Sequence, residues 1–173
     1  MFATLLVPNF FLQAALRHAP ELRDKAVALI DDQAAKAVIF QLNEQAEEAG
    51  VRTDMAPSQG LARCMQLIVR TRDRLQERLL AEIVLQSAFT LSPDVEATAS
   101  SVWTIQFSDT RYVAENVLRV IERLSEMAIR ARAGIAPTPD ASLLAAHAAM
   151  PVLKIDDAKN FLASLPLEVL AHV

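Results

Sequence analysis

The chain has 173 residues, 53% hydrophobic, 22% charged and 5% aromatic, and 17 Lys and Arg against 21 Asp and Glu give a formal charge of −4. So apolar and weakly charged a composition excludes disorder and suits one domain, or one with a small insertion, around a sizeable core. No run reaches the roughly 18–20 apolar residues of a membrane span. The opening MFATLLVPNFF lacks a signal peptide's basic region and cleavage site. A lone Cys64 makes no internal disulfide and agrees with a cytoplasmic location, and the mild acidity argues against a dominant phosphate-binding surface.

Residues 3–7 form a short apolar run stopped by Pro8, the pattern of a buried strand. Asn9 is placed to cap a helix reaching about His18, with Phe10 over Ala14 and Phe11 over Ala15, and Pro20 closes it. Residues 26–30 and 37–42 read as further strands. A polar helix begins at Glu44 and stops at Gly50, a left-handed cap. A short helix with Leu61 and Cys64 follows Pro57, and residues 67–69 make another strand. Over 73–88, Leu75, Leu79, Leu80, Ile83 and Val84 form one stripe of an amphipathic helix.

Residues 95–99 and 102–107 flank Ser100-Ser101 and predict a hairpin, its second arm placing Trp103, Ile105 and Phe107 on one face. Asp109 is placed to cap a helix in which Val113, Val117, Val120, Ile121 and Leu124 recur at helical spacing. A strand over 129–136, a helix over 141–150, a strand over 152–155, a helix over 157–163 and a turn after Pro166 complete the chain. The order predicts an α+β fold: a mixed or antiparallel sheet with helices on one face.

Common chemistries find little footing. Gly50, Gly60 and Gly134 are too widely spaced for a phosphate loop. His18, His147 and His172 are dispersed, and Cys64 has no ligand-spaced partner; they read as a helix-end histidine, helix or surface histidines and a structural thiol. Ser100-Ser101 reads as a turn. The adjacent pairs Asp31-Asp32, Glu47-Glu48 and Asp156-Asp157 diverge on any regular backbone, so they read as solvated loops and helix starts.

Several segments carry a resemblance. LLVPNFFLQAALRHAPELRDKAVALID is similar to the opening of Y-family (UmuC/DinB-type) DNA polymerases, where a strand, a helix and a second strand begin the palm. VIFQLNEQAEEAGVRTDMAPSQGLARCMQLIV resembles that family's fingers, SPDVEATASSVWTIQFSD its palm hairpin, and ARAGIAPTPDASLLAAHAAMP the strand and helix that end the palm. FLASLPLEVL resembles the segment leading to the thumb, so the likeness runs from Phe2 to Val173. It implies a palm over 1–36, a fingers-like insertion over 37–72 and the rest of the palm, with a thumb-proximal tail, over 73–173. No thumb or little finger is expected.

The same resemblance locates the family's working residues, and here this chain departs from them. The positions of the metal-binding carboxylates fall at Leu6, Ser101 and Val102. Those of the fingers Tyr and Arg that hold the triphosphate fall at Glu44 and Glu47, and that of a supporting Lys falls at Pro139. The bulky gate beside the nucleotide sugar persists as Phe11. The expectation is therefore a chain that is not an enzyme and holds no metal, nucleotide or other cofactor. Among relatives it is most similar to the ImuB-type mutasome proteins, which implies an adapter in DNA repair, in SOS-induced translesion synthesis. The implied partners are a replicative-type polymerase, a recombinase-like accessory protein and a sliding clamp, with weak or no DNA binding and no membrane. Leu165, Leu167 and Leu170 of the tail are expected either to leave an apolar patch for self-association or a protein partner, or to fold back and complete the core. Two alternatives stand beside this: a nucleotidyltransferase using displaced carboxylates such as Asp31, Asp94 or Glu96, and an interaction module unrelated to DNA.

Overall fold

The computed structural model describes residues 1–164; the expectation for Leu165, Leu167 and Leu170 lies outside them. The order is β1 (Phe2–Leu6), α1 (Phe10–Leu16), a 3-10 turn (Pro20–Leu22), β2 (Val27–Ile30), β3 (Ile39–Leu42), α2 (Glu44–Glu48), α3 (Pro57–Arg63), β4 (Ile68–Thr71) and α4 (Arg74–Phe89). There follow β5 (Val95–Ala99), β6 (Val102–Gln106), α5 (Val113–Glu126), β7 (Arg132–Ala136), α6 (Pro139–Ala148), β8 (Val152–Lys154) and α7 (Ala158–Ser164). The chain divides into two compact units, one made of Met1–Pro8 with the chain from Ala81 onward, the other of Asn9–Leu80.

The first unit holds a five-stranded sheet in the order β5-β6-β1-β7-β8. The central strand β1 runs antiparallel to both β6 and β7, and β8 lies parallel to β7, so the sheet is mixed. Alternation assigns the faces. Thr4 meets Ser142 of α6 at 2.7 Å between hydroxyls, both fully buried. The Ser142 hydroxyl donates to Pro139 O at 2.7 Å, so the Thr4 hydroxyl supplies the proton between the two side chains. Ala3, Leu5, Ile105 and Ile135 point the other way and are fully buried, against the apolar stripe of α5, which packs on β7 and β8. The sheet therefore carries helices on both faces rather than one, because neither face of β1 or β7 is polar enough to meet water.

Gly134 sets the spacing of α6. It pairs with Thr4, and a Cβ there would strike the backbone of Ser142, Ala145 and Ala146. Small residues on α6 (Ala141, Ser142, Ala145, Ala146, all buried) complete the close approach.

The second unit is a three-stranded sheet, β3-β2-β4, with β2 antiparallel to β3 and parallel to β4. Residues 9–36 belong to one unit with residues 37–72, because β2 takes its partners there. Asn43 caps α2 by accepting from Ala46 N, and also ties Val27 N and Lys25 O. Gly50 takes the left-handed conformation at φ 85°, as its place after α2 predicts.

Three local expectations are corrected. The buried stripe of α4 runs through Glu77, Leu80, Val84 and Ala88, while Leu75 and Leu79 are exposed, because the helix turns its i, i+4, i+8 row inward about Leu80. Asn9 precedes α1 with φ 48° and makes no side-chain cap. Tyr112, not Asp109, sits at the start of α5, and Asp109 pairs with Arg111 at 2.7 Å instead.

Candidate functional site

β1 and the β5–β6 hairpin bring Leu6, Ser101 and Val102 to one end of the five-stranded sheet. Leu6 and Val102 are cross-strand partners, and Val7 N donates to Ser101 O at 3.0 Å just beyond them. Both side chains are over nine-tenths buried and pack with Ala146 and Leu143 of α6. These three positions lie together, but two hydrocarbons and one neutral hydroxyl do not fit a divalent cation, which requires several oxygen ligands, usually with carboxylates among them. Among the described residues no group of three or more His, Cys, Asp or Glu is arranged to hold a metal ion. Pro139 opens α6 behind the cap of Thr138, whose hydroxyl accepts from Ala141 N at 3.3 Å.

The displaced-carboxylate alternatives separate. Asp94 and Glu96 line a recess of about 370 Å³ beside β5 and β6, together with Asp140, Phe2, Thr98 and Gln106. Asp140 is a third carboxylate that the sequence did not single out, since nothing local links it to the hairpin. Asp31 lies in the other unit and is occupied: its oxygens accept from Arg72 at 3.0 Å and Arg74 at 2.8 Å.

In the three-stranded unit Glu44 and Glu47 are exposed on α2 and present negative charge. Phe11 of α1 is half-buried, edge-on to Phe10 at 5.3 Å and tilted to Phe40 at 5.7 Å. Arg72 lies 4.2 Å from the Phe11 ring centre and binds both oxygens of Glu77 at 2.8 and 2.7 Å. Sequence reading missed this cluster, because Asp31 and Arg72 are 41 residues apart. The other singled-out residues have ordinary surroundings. His147 lies in the last turn of α6, Cys64 ends α3, and the Asp157 carboxylate accepts from Lys159 N and Asn160 N at the start of α7.

The network makes a pH prediction. The Gln33 backbone N–H above all, opposed by partial burial and helped by Arg72 and Arg74, holds the Asp31 carboxyl below its ordinary 3.8. The folded chain then binds that proton less readily than the unfolded one. The stabilisation is complete above the ordinary value and is lost as pH falls through the lowered one. Urea midpoints should fall in acid more for the native chain than for Asp31→Asn; parallel profiles would refute the coupling.

Comparison with known proteins adds the following. A family model described as the impB/mucB/samB family matches residues 5–147. DNA polymerase IV of Pseudomonas syringae pv. tomato is 25% identical over 174 residues, covering 95% of this chain and 49% of that protein. DNA polymerase IV of Mannheimia succiniciproducens is 23% identical over 175 residues, again covering 95% of this chain and 49% of its own length. The chain thus spans about half the length of the curated relatives it matches. A solved post-insertion binary complex of Dbh DNA polymerase aligns with a TM-score of 0.85 at 14% identity, over 97% of this chain and 52% of that one. These findings overturn the expectation of a chain that is not an enzyme: both curated relatives carry an enzyme's name. That expectation rested on the side chains at six positions, Leu6, Glu44, Glu47, Ser101, Val102 and Pro139, whereas the likeness to the first relative extends over 95% of the chain. Among the described residues no helix is long and apolar enough to cross a membrane.

Proposed function

Because the chain belongs to the impB/mucB/samB family, whose model spans residues 5–147, we propose that it serves DNA synthesis during repair as a Y-family-type palm-and-fingers domain. Family membership, with the shared fold over 97% of the chain, is the observation that supports this. The five-stranded unit corresponds to a palm and the three-stranded unit to fingers, with Phe11 as the aromatic beside a nucleotide sugar. The setting is cytoplasmic, in the damage-induced response.

Two finer roles each draw on one observation. The name its relatives carry favours nucleotidyl transfer by the chain itself, with Asp94, Glu96 and Asp140, which line the recess, as the carboxylates to test. The closure of Leu6 and Val102 beneath Leu143 and Ala146, and the exposed acidic side chains Glu44 and Glu47 at the positions of the family's triphosphate-holding Tyr and Arg, favour an ImuB-type adapter for a replicative-type polymerase, a recombinase-like accessory protein and a sliding clamp.

Copying of a damaged template by a replicative-type polymerase with its clamp should increase when the chain is added. Product formed by the chain alone, and abolished by Asp94→Asn, Glu96→Gln and Asp140→Asn together, assigns the transfer to this chain. Product requiring the added polymerase assigns the adapter role. No effect in either setting refutes the proposal.

A net charge of −4 and scattered arginines also predict weak DNA binding, with a dissociation constant of ~10⁻⁴–10⁻⁶ M at about 0.15 M salt. Fluorescence anisotropy with primer–template DNA checks it, and nanomolar binding would contradict it.

A further inference from the structure

The Arg72 guanidinium is held in one plane from two directions. Nε and Nη2 donate to the two oxygens of Glu77, and Nη1 donates to Asp31 Oδ2 at 3.0 Å. Arg74 fixes the other Asp31 oxygen at 2.8 Å. Arg72 and Glu77 side chains keep only 18% and 10% of their exposure, so water does little to loosen the fork. The plane so fixed lies 4.2 Å from the centre of the Phe11 ring and 5.8 Å from that of Phe40. With three of its five N–H donors given to two carboxylates, this cation is neutralised inside the unit.

An aromatic wall discriminates against an extra hydroxyl only as far as the wall refuses to move. Phe11 belongs to a helix of seven residues, too short to hold a ring by its own stability. We propose that Arg72 is a positioning residue for Phe11, keeping the ring where a 2′-hydroxyl collides with it, and so sets a preference for deoxyribonucleotides over ribonucleotides. This rests on the reading of Phe11 as the aromatic beside the sugar. What it adds is that the selectivity is set from behind the ring, by an ion-pair fork contributed by β4, α4 and the end of β2.

The test is an NMR titration of the chain, with ¹³C-labelled Phe, by magnesium dATP and magnesium ATP. The native chain should bind dATP more tightly. Arg72→Gln joined to Glu77→Gln removes the more buried carboxylate with its partner and leaves Asp31 held by Arg74 and the Gln33 N–H, and should narrow the dATP-to-ATP ratio by about threefold or more. Arg72→Lys keeps the charge and loses the fork. It should narrow the ratio in the same direction, and it serves as the second variant if the double one fails to fold. Phe11→Ala should abolish the preference in either background. A purely structural Arg72 would lower both affinities and leave the ratio alone. An unchanged ratio in the folded Arg72 variants, with Phe11→Ala still abolishing the preference, overturns the role of Arg72 only. No response to either nucleotide up to about 10 mM overturns the reading of Phe11 itself, and the proposal with it.

Discussion

Gly134→Ala should destabilise the five-stranded unit by about 3 kcal/mol or more, far above the usual cost of adding one methyl group. The reason is what that methyl would strike. It meets the backbone of Ser142, Ala145 and Ala146, not the far end of a side chain that could rotate away. Relief requires α6 to lift as a body. That would separate Thr4 from Ser142, leaving buried hydroxyls short of a partner, and would open the packing of Ala146 on Leu6 and Val102. Urea denaturation with far-UV circular dichroism reads the loss. Gly60→Ala is the comparison, since its methyl meets only the side-chain ends of Leu67, Ile39 and Val51. A Gly134→Ala cost below that of Gly60→Ala would show that α6 is free to ride upward.

Leu6→Asp should also cost about 3 kcal/mol or more near neutral pH. Leu6 is 7% exposed, among Val102, Leu143 and Ala146, and the guanidinium of Arg132, its cross-strand partner, donates to His147 O at 3.4 Å. Burial raises the pKa of the new carboxyl, so the folded chain binds its proton more tightly than the unfolded one. The penalty should then be small in acid and grow as pH rises past the ordinary carboxylate value, opposite in sign to the Asp31 effect. Leu6→Asn, with nothing to ionise at that position, should show no such added slope. Magnesium should not restore stability, because Ser101 and Val102 supply no second carboxylate to share the ion. A loss under about 1 kcal/mol, or rescue by magnesium, would mean that this end of the sheet is wetter and more accommodating than its packing indicates.

Local chemistry made much of this legible from the sequence. The hairpin about Ser100-Ser101, the helix of Val113 to Leu124 and the turn at Gly50 each declare themselves within a few residues, and the structure has all three. Leu6 and Val102 came to notice through the family resemblance alone, and the structure makes them cross-strand partners. What stayed hidden depends on partners distant in the chain. β2 joins β3 and β4, and its neighbours cannot be read from an apolar run of four residues. Asp140 reaches the recess of Asp94 and Glu96 only because α6 returns over the sheet. The exposed Leu75 and Leu79 fit a helical stripe as well as Leu80 and Val84 do; which row turned inward was settled by the packing about Leu80 and by Glu77, which meets Arg72.

The placement of β1 has a consequence for the order in which the molecule forms. Among the described strands it is made before its neighbours, β6 and β7, which both follow the whole of the other unit. The contact of Thr4 with Ser142 closes a separation of 138 residues. Residues 9–80 are contiguous, and their sheet can assemble while the apolar opening segment still has no partner. The five-stranded sheet then waits for late, non-local closure, the slow kind of contact to make. During synthesis the strand Phe2–Leu6 therefore stays unpaired while the residues of the other unit are made. Such a strand is an opportunity for a chaperone and a hazard of pairing with another nascent chain.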